Sequence, residues 1–403
     1  MNASMLKLPS LAGEKWLNEP RLQKVLAVLN TGGETRVVGG AVRNSLLKKP
    51  ISDVDLATTL LPTDVMQLAR GAGFGVHPTG VEHGTVTVVN RAAAFEVTTL
   101  RSDVETDGRH AVVSFTKSFE VDAHRRDFTI NALYCNAGGK IFDFTNGCVD
   151  IKRKKIKFVG VAKERIEEDY LRILRFFRFH AAYGKGNPDT TGLAACRKLR
   201  SGLAKVSAER IRQELLKLLV APLAVETLQI MAKAGVLGEI VPYAEHWRVL
   251  KRLPTDPILR LASLSSQPLT LKESLRLSNA ESARIEAIVF APQILPSLRE
   301  KERHALLYRL GAESWGDAVA LSHAQTRAAL SDAKWRKLAQ LPQHWQRPVL
   351  PINGKDLLAA GLPPGPELGA ALQQAEDHWI ASDFMAKKEE LLSLVRGEIV
   401  HGE

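Results

Sequence analysis

Cysteine is scarce in this chain: there are three, Cys135, Cys148 and Cys196, in 403 residues. An odd number with no paired spacing excludes a disulfide framework and gives no zinc-type ligand pattern. Aromatic residues are also few, at 6%, and their sparseness in the basic helical remainder favours recognition of a polyanion by shape over stacking on single strands. No apolar run is long enough to span a bilayer, which excludes a helical membrane protein. Met1 to Trp16 holds neither the apolar core of a signal peptide nor an Arg/Ser-rich transit pattern. The expectation is a reducing, cytoplasmic location with no membrane partner. Acidic residues are in deficit, 44 against 55 Lys and Arg, for a formal net charge of +11. That balance favours a polyanionic partner, nucleic acid before an acidic membrane surface. Apolar and charged fractions of 45% and 25% are ordinary for a globular protein, and the length suffices for two or more domains.

The first third mixes both kinds of periodicity. Helices are expected over Leu22–Leu29, Ala41–Leu47 and Thr63–Arg70, and strands over Thr35–Val38 and Asp53–Ala57. The β-branched runs Gly84–Asn90 and Ala94–Leu100 read as paired strands. Arg101 to Lys117 is polar and charged, and reads as a loop. From Lys163 onward strand signals nearly vanish. Lys163–Tyr183, Ala208–Leu219 and Leu223–Ala234 carry helical periodicity, and helical text continues to the end, with Val349–Pro366 a loop holding a short helix. The expected fold class is α+β: a mixed head followed by an all-helical remainder.

Three motifs carry chemistry. In the first, Val37-Val38-Gly39-Gly40-Ala41-Val42-Arg43, a glycine pair ends an apolar run and opens a helix, where backbone N–H groups can approach a phosphate. Ser52-Asp53-Val54-Asp55 follows. On a strand Asp53 and Asp55 would share one face, and paired carboxylates suit Mg²⁺, which completes its shell with substrate phosphates. Glu96, on a later strand, is either a third carboxylate or a surface residue. The second motif is Arg125-Arg126-Asp127-Phe128-Thr129-Ile130-Asn131-Ala132-Leu133. Its arginines suit phosphate, and Asp127 suits a ribose hydroxyl or the anchoring of an arginine; the plain alternative is a helix cap with a solvated basic pair.

In the third motif, Asp169, Arg172, Arg175 and Arg178 recur every third residue and form a polar ridge if the segment is one helix. An ion-paired helix with Phe176, Phe177 and Phe179 in the core is the structural alternative. An ionised aspartate only accepts hydrogen bonds and arginine only donates. Cytosine and adenine each present an amino donor beside a ring-nitrogen acceptor, whereas uracil and guanine present the reverse. Asp169 with Arg172 can therefore accept C and A and reject U and G, because a mismatch leaves buried polar groups unpaired.

As an ordered set these motifs resemble class II tRNA nucleotidyltransferases, the CCA-adding enzymes, within the polymerase-β-like superfamily; Pro78-Thr79-Gly80 and His83-Gly84-Thr85-Val86 are also similar to that family. The resemblance is clear over residues 35–220. It implies a nucleotidyltransferase head over residues 1–148, a helical neck that reads the base over 149–222, and a helical body and tail that bind tRNA over 223–403. It implies triphosphate contacts at Gly39, Gly40 and Arg43 and Mg²⁺ on Asp53 and Asp55, which with Glu96 form the catalytic set. Arg126 and Asp127 match ribose and phosphate contacts. Asp169 and Arg172 match the base-reading pair, and Arg175 and Arg178 match further nucleotide contacts. Asp107 and Arg109 fall where the family has a flexible loop that switches from C to A addition. Ser207–Leu219 resembles a later helix that steadies the head–neck junction. The implied activity is template-independent addition of C, C and A to the tRNA 3′ end from CTP and ATP. The chain departs from the family in having Gly160-Val161-Ala162 before the base-reading helix. No phosphohydrolase signature accompanies His378. The rivals are a poly(A) polymerase, an enzyme adding only part of CCA, and an RNA-binding protein with an inactive head.

Overall fold

A computed structural model describes residues 8–106 and 111–399. They fall into two compact units, Met1–Tyr243 with Glu273–Arg276, and Ala244–Lys272 with Leu277–Glu403.

The first unit opens with helix α1 (Pro20–Leu29), which has Pro at its first turn and Glu19 as its cap. Strand β1 (Thr35–Val38) is buried along its whole length, and α2 (Gly40–Leu46) leaves it directly. Next come β2 (Asp55–Thr58), α3 (Pro62–Gly71), β3 (Gly75–Gly80), β4 (Thr85–Asn90) and β5 (Ala93–Thr99). After β6 (Arg101–Thr106), β7 (Ala111–Phe115) and α4 (Phe119–His124) come β8 (Leu133–Cys135), β9 (Ile141–Asp143) and α5 (Gly147–Arg153). Seven strands form one sheet in the order β3-β4-β5-β2-β1-β8-β9. Only β2 and β5 pair in parallel; the other neighbours are antiparallel. α1 and α3 pack over the β3–β5 end. Val38, Ala57, Leu100, Phe119, Ala123 and Tyr134 share a buried cluster, which places α4 against the sheet.

Two local expectations are corrected. Asp53 lies outside β2, which begins at Asp55 opposite Val38. β1 cannot extend the ladder further, because Gly39 turns the chain away at a positive φ of 68°. Arg101 to Lys117 is not simply a loop: β6 and β7 pair antiparallel as a separate ribbon. Asp107 and Arg109 lie outside the described residues.

The head passes into helices α6 (Ala162–Glu168), α7 (Leu171–Tyr183), α8 (Thr190–Lys198), α9 (Ala208–Leu219) and α10 (Ala224–Lys233). The expected single helix over Lys163–Tyr183 is thus two. Asp169 is extended (φ −154°, ψ 105°), and its Oδ1 accepts the N–H of Leu171 at 3.1 Å. An aspartate that caps the following backbone competes with helix continuation. Phe128 of the head, Phe158, and Phe176 and Phe179 of α7 pack with ring centroids 4.9–5.4 Å apart, which fastens α7 to the head.

The regular elements of the second unit are helices among its described residues, with α11 (Trp247–Arg252), α12 (Pro257–Leu264), α13 (Leu271–Ser274), whose Glu273 and Ser274 belong to the first unit, and α14 (Asn279–Val289). Then follow α15 (Glu300–Gln325), α16 (Ala333–His344), α17 (Gly354–Ala359), α18 (Pro366–Ala381) and α19 (Lys388–Ile399). α15 is interrupted at Gly311, whose φ of 74° is non-helical. One core gathers Trp315, Trp335 and Leu338, and a second gathers Tyr308, Trp379 and Leu391. Arg284 joins α14 to α15 through both oxygens of Asp317, at 2.8 and 2.9 Å.

Candidate active site

The site begins where β1 ends. Gly39 takes a backbone conformation that L side chains avoid, and its N–H donates to the Leu133 carbonyl at 3.0 Å. A Cβ built on Gly39 would stand 3.5 Å from the Asn131 carbonyl oxygen and 3.9 Å from Nη1 of Arg126. One built on Gly40 would stand 3.9 Å from Nη2 of Arg43. Two guanidinium groups therefore flank the glycine turn. Arg43 is itself buried: Nη1 donates to Asn131 Oδ1 at 2.5 Å, and Nη2 to Asn44 Oδ1 at 2.9 Å and to the Tyr183 hydroxyl at 3.0 Å. Its guanidinium lies 4.3 Å from the Tyr183 ring centroid, so α7 helps to hold it.

The carboxylates stand beside this turn. Leu56 pairs with Val97 across the parallel β2–β5 ladder, so Asp55 and Glu96 are each one residue upstream on neighbouring strands. Alternation puts Asp55 on the Ala57 face, the face that α4 covers. Desolvation, then the charges of Glu96 and Asp53, push the Asp55 carboxyl above its usual range, and Arg126 opposes them. Asp53 is exposed and accepts a hydrogen bond from Ser52 Oγ at 2.8 Å. Among the described residues no group of three or more His, Cys, Asp or Glu is gathered tightly enough to hold a metal by itself. The donor set, hard oxygens already repelling one another, fits a Mg²⁺ ion whose remaining ligands come from water and phosphate.

The arginines of the second motif are held by a residue that the motif reading missed. Asp122 of α4 is 1% exposed. Its Oδ1 accepts Nε and Nη2 of Arg125 at 2.8 and 2.6 Å. Its Oδ2 accepts Nε and Nη2 of Arg126 at 3.0 and 2.9 Å and the Tyr134 hydroxyl at 2.6 Å. Burial opposes the charge, but Arg126 and Arg125 overcome it and bring the Asp122 carboxyl down to about 2. An aspartate three and four residues before two arginines is a helical ion-pair spacing that the sequence displays.

Of the two roles open to Asp127, the structure displays the anchoring one. Its Oδ2 accepts Nε and Nη2 of Arg175 at 2.8 and 2.5 Å, and its Oδ1 accepts the Phe128 N–H and Asn131 Nδ2 at 2.8 and 3.1 Å. Burial resists ionisation, yet Arg175 and these hydrogen bonds lower its carboxyl. Arg178 pairs with Glu214 of α9, which also stands 3.8 Å from Arg175. Glu214 was not legible as a partner, because it lies 36 residues downstream of Arg178.

Asp169 and Arg172 have separate partners. Asp169 Oδ2 accepts Nη2 of Arg210 at 2.8 Å. Arg172 Nη1 donates to Glu168 Oε2 at 2.5 Å and to the Arg165 carbonyl at 2.7 Å, and its Nη2 reaches the Arg125 carbonyl at 3.5 Å. Both side chains are half-buried at the break between α6 and α7. The break turns the expected continuous ridge into a corner: Asp169 precedes α7, and Arg172, Arg175 and Arg178 follow along it.

Comparison with known proteins places the whole chain among relatives. Residues 35–157 match the family model described as the poly(A) polymerase head domain, residues 188–248 the one described as an RNA- and SrmB-binding site of polymerase A, and residues 259–395 the one described as tRNA nucleotidyltransferase domain 2. The human mitochondrial CCA tRNA nucleotidyltransferase 1 is 36% identical over 90% of this chain and 86% of its own length. The CCA-adding enzyme of Latilactobacillus sakei is 32% identical over 97% and 100%. Among solved structures, the Bacillus stearothermophilus CCA-adding enzyme in complex with CTP superposes with a TM-score of 0.79 at 29% identity, covering 95% of this chain and 98% of that one. Among the described residues no helix is long and apolar enough to cross a membrane.

Proposed function

The chain belongs to the family of CCA-adding tRNA nucleotidyltransferases, and from there we propose that it adds C, C and A to the 3′ end of tRNA from CTP and ATP, releasing pyrophosphate. The observation that carries this reading is the meeting of the Asp53–Asp55 carboxylates with the Gly39–Gly40 turn, flanked by Arg43 and Arg126. The turn and the two guanidinium groups receive the triphosphate. Asp53 and Asp55, with Glu96 adjacent, would hold Mg²⁺; a bound pair of such ions supplies charge neutralisation at both the attacking and the leaving oxygen. The protein's own part is positioning, which dominates phosphoryl transfers of this kind.

Base choice falls to the corner between α6 and α7. Asp169 offers an acceptor and Arg172 offers donors, the complement of the edges of C and A. Asp127 fixes Arg175 and Glu214 fixes Arg178, so the nucleotide meets guanidiniums that are already oriented. The net charge of +11 supplies the grip on tRNA phosphates. We keep the expectation of a reducing, cytoplasmic location; the mouse and human relatives carry "mitochondrial" in their names. A poly(A) polymerase shares the head model, but the second-domain match over 259–395 and the full-length relatives favour CCA addition.

The double substitution Asp53→Ala with Asp55→Ala tests the catalytic assignment. Incorporation of labelled CTP into tRNA lacking its 3′ end should vanish while tRNA binding in a filter assay persists. Retained incorporation would remove these carboxylates from the mechanism.

A further inference from the structure

Neither arginine of the second motif is aimed by its own backbone. Both leave the end of a six-residue helix, α4, on long flexible side chains. Asp122, on that same helix, engages each of them side-on through Nε and Nη2. This grip uses Nε and Nη2 of Arg126 and not Nη1, which stands 3.9 Å from a Cβ position built on Gly39.

We propose that Asp122 is the positioning residue that aims Arg126 at the triphosphate over the Gly39–Gly40 turn; this rests on reading that turn as the triphosphate seat. Only an ionised carboxylate meets the demand. Its two oxygens accept and never donate, so each serves one guanidinium; an amide would turn an N–H toward one of them. The Tyr134 hydroxyl donates to Oδ2 and accepts from Arg126 Nε at 3.1 Å, which closes the ring of contacts. Tyr134 is fixed in turn against Phe119 of α4, with ring centroids 5.3 Å apart. One negative charge thus holds two positive ones, and the cluster keeps a net positive charge facing the carboxylate of Asp55. A guanidinium oriented before the substrate arrives costs no reorganisation when it binds. The cluster also meets the base-reading corner, because the carbonyls of His124 and Arg125 accept from Arg165 and Arg172.

Steady-state incorporation of ATP into tRNA lacking only its terminal A tests the proposal in the full chain. Asp122→Asn should raise KM for ATP about 10-fold or more with a smaller effect on kcat, as expected when binding energy at a charged contact is lost. Tyr134→Phe should raise it in the same direction by a few-fold. In an Arg126→Ala background, Asp122→Asn should add less than about twofold, since the two act as one unit. Thermal unfolding measured alongside separates a loss of folded protein, which lowers apparent kcat and leaves KM unmoved. An unchanged KM in Asp122→Asn, or a full additional rise in the Arg126→Ala background, overturns the proposal. Should Asp122→Asn fail to fold, Tyr134→Phe decides: a wild-type KM there overturns it. Failure of the wild-type chain to extend tRNA with CTP and ATP would instead overturn the reading of the turn.

Discussion

Acid should dismantle the Asp122 cluster in a measurable way. The carboxyl sits at about 2 in the folded chain against an ordinary value of 3.8. At about 1.4 kcal/mol for each tenfold change in proton affinity, this amounts to roughly 2 kcal/mol of folding free energy. Because the folded-state value is depressed, the contribution is fully present above pH 3.8 and is lost as the pH falls through about 2. Asp122→Asn has no carboxyl to titrate at this position. At pH 5 it should be less stable than wild type by roughly 2–3 kcal/mol, since it leaves two arginines without their counter-charge. Toward pH 2 the difference should shrink to a small residue. The depressed carboxyl of Asp127 titrates in both proteins and cancels in the comparison. Urea unfolding followed by circular dichroism over pH 2–5 gives both curves. Curves that stay parallel through this range would refute the ion-pair account of the cluster.

Other outcomes follow from the same geometry. Asp169→Ala should lower the preference for CTP and ATP over UTP and GTP by about 10-fold or more; unchanged ratios of kcat/KM would take base reading away from this residue. Glu214→Gln should cost about 3 kcal/mol of stability, the low end for breaking a buried ion pair, and a midpoint shift in urea worth under about 1 kcal/mol would contradict its role under Arg178. Gly39→Ala should cost at least about 1–2 kcal/mol, because the residue must hold a positive φ, and a wild-type melting temperature would show that the turn relaxes freely.

Much of the head was legible because its signals are local. The apolar run of β1, the glycine pair and α2 follow one another in sequence as they do in space. The β-branched text of β4 and β5 marks a hairpin whose second strand carries Glu96 to the side of Asp55. α9 spans Ala208–Leu219, the range its periodicity indicates. What could not be read depends on distant partners or brief pairing. The helical pattern runs through Asp169 without interruption, and the break there is accompanied by an ion pair to Arg210, 41 residues away. β3 contains two glycines and a proline and belongs to the sheet through its pairing with β4. β8 and β9 are three residues each, too short for a period to register. In the site, the sequence displayed the cations and hid what holds them. Tyr134, Tyr183, Asn131 and Glu214 look like ordinary core and helix residues until the fold brings them to an arginine. Asp122 and Asp127 are exceptions: the spacing of Asp122 to Arg125 and Arg126 is visible, and Asp127 reads as a candidate anchor for an arginine, which it is for Arg175.

The most direct measurement supplies one nucleotide at a time to tRNA lacking its 3′ end and resolves the products to single nucleotides on a gel. CTP alone should extend the tRNA by two C and stop. ATP supplied next should add one A and stop, and UTP or GTP should add nothing. Long A tails from ATP alone, or extension by all four nucleotides, would contradict the account.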